Sequence, residues 1–464
     1  CMNVRIGKKR IVTVAFIFIV LFILQKTFNI GSGQYYYDVG YYNNIGISMF
    51  ASGQFSFQTM ITDFRGYVFP LYLGLCNQID SVLHITNSIH IISSLILTIL
   101  LMIYLDFCQK LFQSNQTKKY SYWISALVPI ALLLTFFYGL VLYPLTDLYA
   151  ALLCITAGWF IYFALQNESL HKAGLMYFFA GICIYSAYNI RTIYLLSIYC
   201  LFLAIAFMER KKVKNVILAL FSFALGIFVC AIPQIIIHFP RYEIISPWIN
   251  NQNLFARQLF WGLQSLKYGT YVGSEIPDLA GMYYTDPIGK QIVDTFAATG
   301  GALSIGSYIK LFFAYPLEYI AIIGKHVYNA FFILFPEQYV FNLNSSRYFY
   351  AIAGLVIVFL FFVAIAMNRN KTTTNEKIIV FALLLPSMAI LFGAVEERFL
   401  VLPYMFVYGY LANFDFKEIF KKFNKQDLIV VLFLFVVFAA TALSIESEIL
   451  SSLQGCPLTF SGLL

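Results

Sequence analysis

Long apolar runs recur along the whole chain, and they constrain its fold more than any motif does. Eleven runs are long enough, or nearly so, to cross about 30 Å of hydrocarbon as helices. They lie at 11–25, 86–105, 122–142, 145–165, 173–190, 192–208, 214–238, 349–367, 377–394, 398–413 and 428–446. Because the chain is also 61% hydrophobic and only 11% charged, it lacks the polar surface of a soluble domain. The sequence therefore predicts an all-α integral membrane protein with about eleven transmembrane helices.

Lys and Arg are distributed unevenly between the two sets of connecting segments. With the N-terminus on the cytoplasmic side, the inner segments hold 19 of the 30 cations but only 7 of the 22 acids. Lys and Arg resist translocation, so this orientation is the predicted one. No small-x-small cleavage pattern follows the first run, and we expect that run to remain as an anchor. The net charge of +8 reflects this topology and attraction to anionic lipid, and it gives no reason to expect a nucleic-acid partner.

Two outer segments, 26–85 and 239–348, are much longer than the other connections. Long loops in a compact protein usually carry function. Part of the second, 306–341, is apolar enough for another span, but a single crossing there would reverse the orientation of every later loop. We therefore expect interfacial helices or a pair of crossings on the outer side, interrupted by Pro316 and Pro336. Residues 1–464 are thus predicted to form one membrane domain with two outer elaborations.

Motifs for metal and nucleotide binding are missing from the sequence. The eight cysteines and five histidines have no ligand spacing, so neither a disulfide framework nor a zinc site is predicted. Neither G-x-x-x-x-G-K-[ST] nor G-x-G-x-x-G occurs. Any substrate is therefore expected to arrive through the membrane in an energised form. No cofactor is predicted; a divalent metal is compatible with the chemistry considered below but is not indicated.

Asp38 lies among tyrosines in "YYYDVGYYNNIGISMF", about a dozen residues beyond the first span. The residues that follow it, Tyr42, Ile45 and Met49, recur at the spacing of an interfacial amphipathic helix. One interpretation is that Asp38 caps this helix, because Asp accepts hydrogen bonds from free N–H groups and favours the positive end of the helix dipole. The alternative is that the carboxylate points toward the protein and takes part in chemistry.

The sequence around Asp38 resembles the first outer loop of a known superfamily. "YYYDVGYYNNIGISMFASGQFSF" followed by "DFRGYVFPLYLGL", with a late "EERFLVLPY", is similar to the GT-C polyprenyl-phosphate-sugar-dependent glycosyltransferases. That superfamily includes the aminoarabinose transferases of lipid A and the protein O-mannosyltransferases. One departure is that the Pro-Pro common before Leu-Tyr is Phe69-Pro70 here. The resemblance implies an outer-face active site with a catalytic acid at Asp38.

The chemistry of such a transfer calls for two kinds of side chain. An inverting transfer from a lipid phosphate needs a carboxylate to take the proton of the attacking hydroxyl, and cations to stabilise the departing phosphate. Asp38 is the candidate base. The candidate phosphate-binding cations are those near outer span ends, namely Arg191, Arg398, Lys325 and Arg347. The alternative for such arginines is that they snorkel to the membrane interface.

Other outer residues are candidates for positioning the substrates: Asp63, Arg65, Asp147, Glu396, Glu397, Tyr37 and Tyr41. Each has a plainer alternative. Asp147 starts the fourth span, and we favour a capping role for it. For Asp63 and Arg65 two interpretations stay open: a surface pair of little energetic value, or a pair that positions the acceptor. For the tyrosines, an interfacial aromatic belt is favoured over stacking on a sugar ring.

The sequence thus predicts a glycosyltransferase of the plasma membrane, with its N-terminus in the cytoplasm. Its donor would be a polyprenyl-phosphate-linked sugar, its acceptor a glycan, lipid or protein hydroxyl, and its surroundings membrane lipid. One alternative is a polymerase or ligase of lipid-diphosphate-linked polysaccharide, which would depend on arginines of 239–348 rather than on Asp38. A flippase is disfavoured, because no repeated halves are visible and the charges cluster at span ends.

Overall fold

The computed structural model describes most of the chain. The described residues are 8–27, 37–51, 54–60, 65–112, 122–249, 252–270, 281–331, 347–367, 372–393, 395–414 and 424–452. Of the predicted site residues, Asp63 lies outside these ranges. For Tyr37 and Arg347 the description covers the backbone but not the side chain.

Helices make up nearly all of the regular structure. They are α1 (Lys8–Thr27), α2 (Tyr37–Ser48), α3 (Val68–Leu83), α4 (Ser88–Phe112), α5 (Tyr122–Phe136), α6 (Tyr138–Leu142), α7 (Thr146–Gln166), α8 (Leu170–Ile190), α9 (Leu195–Glu209), α10 (Val213–Tyr242), α11 (Gln252–Gln264), α12 (Pro287–Ala298), α13 (Ile305–Ala314), α14 (Pro316–Ala330), α15 (Arg347–Met367), α16 (Thr374–Met388), α17 (Val401–Ala412) and α18 (Lys425–Ser452). Two strands, β1 (Ser265–Thr270) and β2 (Gly281–Thr285), form an antiparallel pair.

Nine helical segments within the described residues have the length and apolar composition needed to cross a membrane. The prediction of a helical integral membrane protein is therefore confirmed, with one short β-ladder added to it. Two predicted spans are shorter than expected. The segment at 122–142 is divided into α5, which contains Pro129, and the five-residue α6. The segment at 398–413 is a 3₁₀ turn, Glu397–Leu400, followed by the 12-residue α17. Eleven full-length helices are thus not observed in the part of the chain that is described.

Contacts near helix ends give the directions of α1 and α4. Arg10, at the start of α1, contacts Asp106 near the end of α4. At the other end of α1, Gln25 donates to Ser93 in the second turn of α4. The two helices are therefore antiparallel, and the bundle has two ends. We call the one with Arg10 the Arg10 end, and the opposite one the Asp38 end.

Two further helices run in the same direction as α4. Tyr149 in the first turn of α7 contacts Ser93, and farther along α7 Trp159 donates to Asp106. In α17, the carbonyl of Met405 accepts from Tyr104 of α4. Since α4 and α7 are parallel, α4 ends at the Arg10 end and α7 starts at the Asp38 end. Since α17 starts at Val401 near the Asp38 end, it descends beside α4 toward the Arg10 end.

Small residues allow the closest helix contacts. A Cβ on Gly181 of α8 would overlap the backbone of Phe223 in α10, and one on Gly226 would overlap the backbone of Phe178. In the segment 26–85, Gly46 of α2 and Gly74 of α3 meet in the same manner. Such small residues let backbones approach in membranes, where apolar side chains gain little by leaving lipid. The contact between Gly46 and Gly74 fixes α2, and with it Asp38, against α3.

The segment 239–348, predicted to lie on the outer side, has a small hydrophobic core among its described residues. Residues Leu259, Phe260, Ile292, Tyr308 and Tyr319 pack together from α11, α12, α13 and α14. The helices α13 and α14 have 10 and 15 residues, which is short for a single crossing. His326 of α14 contacts the carbonyl of Leu391, and this contact connects the outer segment with the chain that leads to Glu396.

Candidate functional site

Six charged residues from five separate parts of the chain meet at the Asp38 end of the bundle. We call them the acid–arginine cluster: Asp38 of α2, Arg65 before α3, Asp147 in the first turn of α7, Arg191 directly after α8, and Glu396 and Arg398 before α17. All six were predicted as site residues from the sequence. Their convergence follows from the helix directions, because α7 starts and α8 ends at this side of the bundle.

Asp38 contacts two of the arginines. Its Oδ1 lies 3.3 Å from Nη2 of Arg65, and its Oδ2 lies 3.6 Å from Nη1 of Arg398. Within the described residues α2 starts at Tyr37, and Asp38 lies in its first turn. The carboxylate is 28% exposed, and a substrate has access to it. This geometry favours a role facing the cluster over the role of an N-cap.

Asp147 contacts Arg191 and shares Arg398 with Asp38. Its Oδ2 lies 2.6 Å from Nη2 of Arg191 and 4.0 Å from Nη1 of Arg398. The capping role favoured from the sequence is wrong, because Leu145 occupies the N-cap position of α7 and makes no side-chain cap. Arg398 therefore lies between Asp38 and Asp147, with Nη1 directed at both carboxylates.

Glu396 fixes the orientation of Arg398. Its Oε1 lies 2.7 Å from Nε of Arg398, and its side chain is fully buried. Phe399 supplies a second support, since its ring centroid is 5.1 Å from the guanidinium carbons of both Arg191 and Arg398. The neighbouring acid, Glu397, is also buried and starts the 3₁₀ turn.

The arginines change the acidity of the carboxyl groups. Burial alone would raise the pKa of Asp38, but Arg398, Arg65 and Arg191 outweigh it and hold that pKa below its usual value. Burial raises the pKa of Glu396 to about 7, with Arg398 opposing the shift and Asp147 adding to it. For Arg191, burial is outweighed by Asp147, and the pKa of Arg191 is raised. At neutral pH the cluster thus holds an ionised Asp38 and a Glu396 that is close to its titration point.

A buried amide anchors the loop that carries Arg65. Asn189 accepts from the backbone N–H of Val68 at 2.8 Å and donates to Gln234 of α10 at 3.0 Å. Gly66 lies directly against the carbonyl of Asn189, where a Cβ would overlap it. Asn189 is two positions before Arg191, so one stretch of α8 positions both arginines. Sequence reasoning missed Asn189 and Phe399, because a buried amide or ring gives no signal until its partners are known.

Several predicted residues lie elsewhere or face outward. Lys325 pairs with Asp286 at 2.9 Å, and Asp286 also caps α12 by accepting from Gly289. Tyr41 is exposed, as an interfacial aromatic residue would be. Among the described residues, no group of three or more His, Cys, Asp or Glu side chains could hold a metal ion.

Comparison of the sequence with protein-family models and with curated proteins gives no match. The class of protein therefore rests on the fold and the site. They define a helical integral membrane protein in which six charged residues, three acids and three arginines, converge at one end of the bundle.

Proposed function

We propose that the protein is an inverting glycosyltransferase that uses a polyprenyl-phosphate-linked sugar. It would move a monosaccharide to a hydroxyl of a glycan, lipid or protein on the outer face of the plasma membrane. The observation that carries this proposal is the position of Arg398, whose Nη1 is 3.6 Å from Asp38 and 4.0 Å from Asp147. A proton acceptor thus lies beside arginines that can bind a phosphate.

The proposed step uses these groups in turn. The acceptor hydroxyl gives its proton to Asp38, and its oxygen forms a bond with the anomeric carbon of the sugar. The bond between that carbon and the phosphate oxygen breaks, and its electron pair leaves with the polyprenyl phosphate. Arg191 and Arg398 stabilise the charge that develops on the phosphate. Attack and departure on opposite faces of the sugar account for inversion.

The lowered pKa of Asp38 is consistent with this step only if donor binding changes it. Before the donor binds, Asp38 is ionised because three arginines lower its pKa. A carboxylate with a lowered pKa is a weak base. A phosphate bound to the same arginines neutralises part of their charge, and the pKa of Asp38 then rises toward its usual value. Donor binding would in this way prepare the base for the acceptor.

The Nε–H group of Arg191 is a buried hydrogen-bond donor that supports phosphate binding. Among the described residues, no acceptor makes a hydrogen bond with its buried Nε. Its Nη2 is already engaged by Asp147. A buried donor without a protein acceptor commonly marks the place of a water molecule or a ligand. A phosphate oxygen is an acceptor of the required kind. Lys325 and Arg347, predicted from the sequence as further phosphate-binding residues, remain candidates.

The finer topology is part of the proposal: eleven crossings, with the N-terminus in the cytoplasm and the acid–arginine cluster outside. The parallel directions of α4 and α7 support a crossing by α5 and α6, although neither is a full-length span. The contact of Tyr104 with Met405 supports a crossing by α17. The short α13 and α14 are consistent with interfacial helices in the second outer segment.

Mass analysis of surface glycans from cells with and without the protein tests this function. We expect one side-chain sugar to disappear with the protein, to return with the wild-type gene, and not to return with Asp38→Asn. A matched control is Asp294→Asn, which changes an exposed acid of the second outer segment. Loss of chain length instead of a side-chain sugar would favour the polymerase. Full restoration by Asp38→Asn would reject the proposed base.

A further inference from the structure

A groove lies between α1 and α4, and none of its lining residues belongs to the acid–arginine cluster. Its volume is about 480 Å³, and its walls are almost entirely apolar. Among the lining residues are Val14 and Phe18 of α1, Leu95 and Ile99 of α4, and Trp159 of α7. Val14, Leu95 and Ile99 are exposed in the isolated chain. The groove therefore opens outward, away from the interior of the bundle.

The depth of the groove determines the chemistry of what fills it. Both α1 and α4 have the length and composition of membrane spans, so a groove along their sides faces hydrocarbon. Water finds almost no polar partner on these walls. A flexible hydrocarbon chain can fill the space and restore the contacts that an empty groove would lose.

The groove ends in a group of charged residues at the Arg10 end. Asp106 accepts from Arg10 at 3.0 Å and from Trp159 at 2.8 Å, and it lies 3.3 Å from Lys110. Two cations thus share one carboxylate. The side chains of Arg10 and Lys110 are 40% and 35% exposed, whereas that of Asp106 is 15% exposed. A ligand can therefore reach the two cations more easily than the carboxylate, and the group presents a net positive charge. Exposed Lys9 adds to this charge.

We propose that this groove is a binding site for an anionic phospholipid. One acyl chain lies along Val14, Leu95 and Ile99, and the phosphate contacts Arg10 and Lys110. Basic pockets between transmembrane helices on the cytoplasmic side bind anionic headgroups by the same combination of contacts. In the proposed orientation, the lipid belongs to the cytoplasmic leaflet. The site is independent of the proposed glycosyl transfer, because it shares no residue with the acid–arginine cluster.

Fluorescence quenching of Trp159 tests the site. The full-length protein, with Trp123, Trp248 and Trp261 replaced by Phe, is placed in nanodiscs that contain phospholipid brominated near the headgroup end of its chains. We expect brominated phosphatidylglycerol to quench Trp159 at a lower mole fraction than brominated phosphatidylcholine. Equal quenching by the two lipids would overturn the assignment of an anionic headgroup.

Two kinds of variant locate the binding. Lys110→Gln should raise the mole fraction of brominated phosphatidylglycerol needed to quench Trp159 about fivefold. This is the factor expected for the loss of one cation near a membrane surface. The control Lys214→Gln, an exposed cation at the start of α10, should leave it unchanged. Ala15→Phe fills the groove and should reduce quenching by both lipids, and Met102→Phe serves the same purpose if Ala15→Phe fails to fold. Undiminished quenching in a folded groove-filled variant would reject the groove as the site.

Discussion

Arg191 and Asp147, 44 positions apart, form the shortest ion pair of the acid–arginine cluster, with 2.6 Å between Nη2 and Oδ2. Their side chains are 13% and 4% exposed. The pair joins the end of α8 to the start of α7. Burying two charges is costly, and their mutual attraction offsets that cost only while both are present. The pair is therefore sensitive to the loss of either partner.

The first prediction concerns this dependence. Arg191→Ala leaves Asp147 buried without its closest partner, so we expect a loss of about 3 kcal/mol in stability. The double variant Arg191→Met/Asp147→Leu should recover most of that loss, because no uncompensated charge remains. Thermal unfolding in detergent measures both. The exposed pair Lys290–Asp294 is the control, and Lys290→Ala should cost less than about 1 kcal/mol. An Arg191→Ala variant as stable as the wild type would contradict the buried pair.

The second prediction concerns the contact of Gly66 with Asn189. Gly66→Ala introduces a Cβ that overlaps the carbonyl of Asn189, so the loop that carries Arg65 must shift. We expect a loss of about 1–3 kcal/mol, as for other overpacked sites. The control is Gly324→Ala in α14, where a Cβ meets nothing within 4 Å. Helix propensity favours alanine there by about 1 kcal/mol. The measurement is the unfolding temperature of Gly66→Ala and of Gly324→Ala. Equal values would mean that the contact between Gly66 and Asn189 does not contribute to stability.

The helical membrane class and much of the site could be predicted from the sequence. Apolar runs reveal spans by length alone, and the asymmetry of Lys and Arg assigns Asp38, Arg191 and Arg398 to one face. The two shortened spans could not be foreseen, because hydropathy does not show where an apolar run is interrupted, as it is at Phe137 and near Leu400.

The partner of a charged residue was harder to predict from the sequence than the end of the bundle at which the residue lies. Asp63 is the acid nearest to Arg65 along the chain and lies outside the described residues, whereas Asp38, 27 positions away, contacts Arg65 in the described structure. Lys325, a candidate phosphate-binding residue, is paired with Asp286 within the segment 239–348, and no pattern in the sequence indicated this partner. In each case the partner depends on how distant segments fold back on each other. A one-dimensional sequence gives neighbours along the chain more weight than neighbours in space.

The third prediction concerns pH. The pKa of Glu396 is raised from 4.5 to about 7, so the folded protein binds this proton more tightly than the unfolded chain does. The resulting contribution to stability is full below about pH 4.5 and is lost as the pH rises through about 7. Asp38 has the opposite sign, because its lowered pKa gives stability that is lost only when the pH falls below its usual value of 3.8.

Glu396→Gln separates the two contributions. We expect this variant to lose the decline in unfolding temperature between about pH 5 and about pH 7, because glutamine does not titrate. Asp38→Asn should retain that decline. Unfolding temperatures measured across this range in one detergent provide the comparison. A decline of wild-type size in Glu396→Gln would assign it to another group.

The fourth prediction concerns topology. Thr299 and Thr373 are both exposed, the first before α13 and the second at the N-cap of α16. With eleven crossings, they lie on opposite sides of the membrane. In a protein without its native cysteines, a thiol reagent that cannot enter cells should label Thr299→Cys but not Thr373→Cys. Lysed cells should give labelling at both positions. Labelling of Thr373→Cys in intact cells would overturn the eleven-crossing topology.

The last prediction concerns Asp38 as the general base. Asp38→Asn keeps the size of the side chain but removes the proton acceptor, so we expect transfer to fall about a hundredfold or more. It also removes a negative charge that competes with the phosphate for Arg398, 3.6 Å away. Donor binding should therefore be retained or tightened while kcat falls. Replacement of a purely structural residue would not lower kcat while donor binding is retained or tightened.

Asp38→Glu provides the companion test. The added methylene moves the carboxylate by about 1 Å from the attacking hydroxyl, so transfer should also be impaired, although the charge is kept. Purified protein, a polyprenyl-phosphate sugar and an acceptor identified from the glycan analysis give the rate and the KM of each variant. The unfolding temperature of Asp38→Glu should stay close to that of the wild type, since the charge is kept and the side chain of Asp38 is 28% exposed. If purified Asp38→Asn transfers sugar at the wild-type rate, the base lies elsewhere and Asp38 only contributes charge to the first turn of α2.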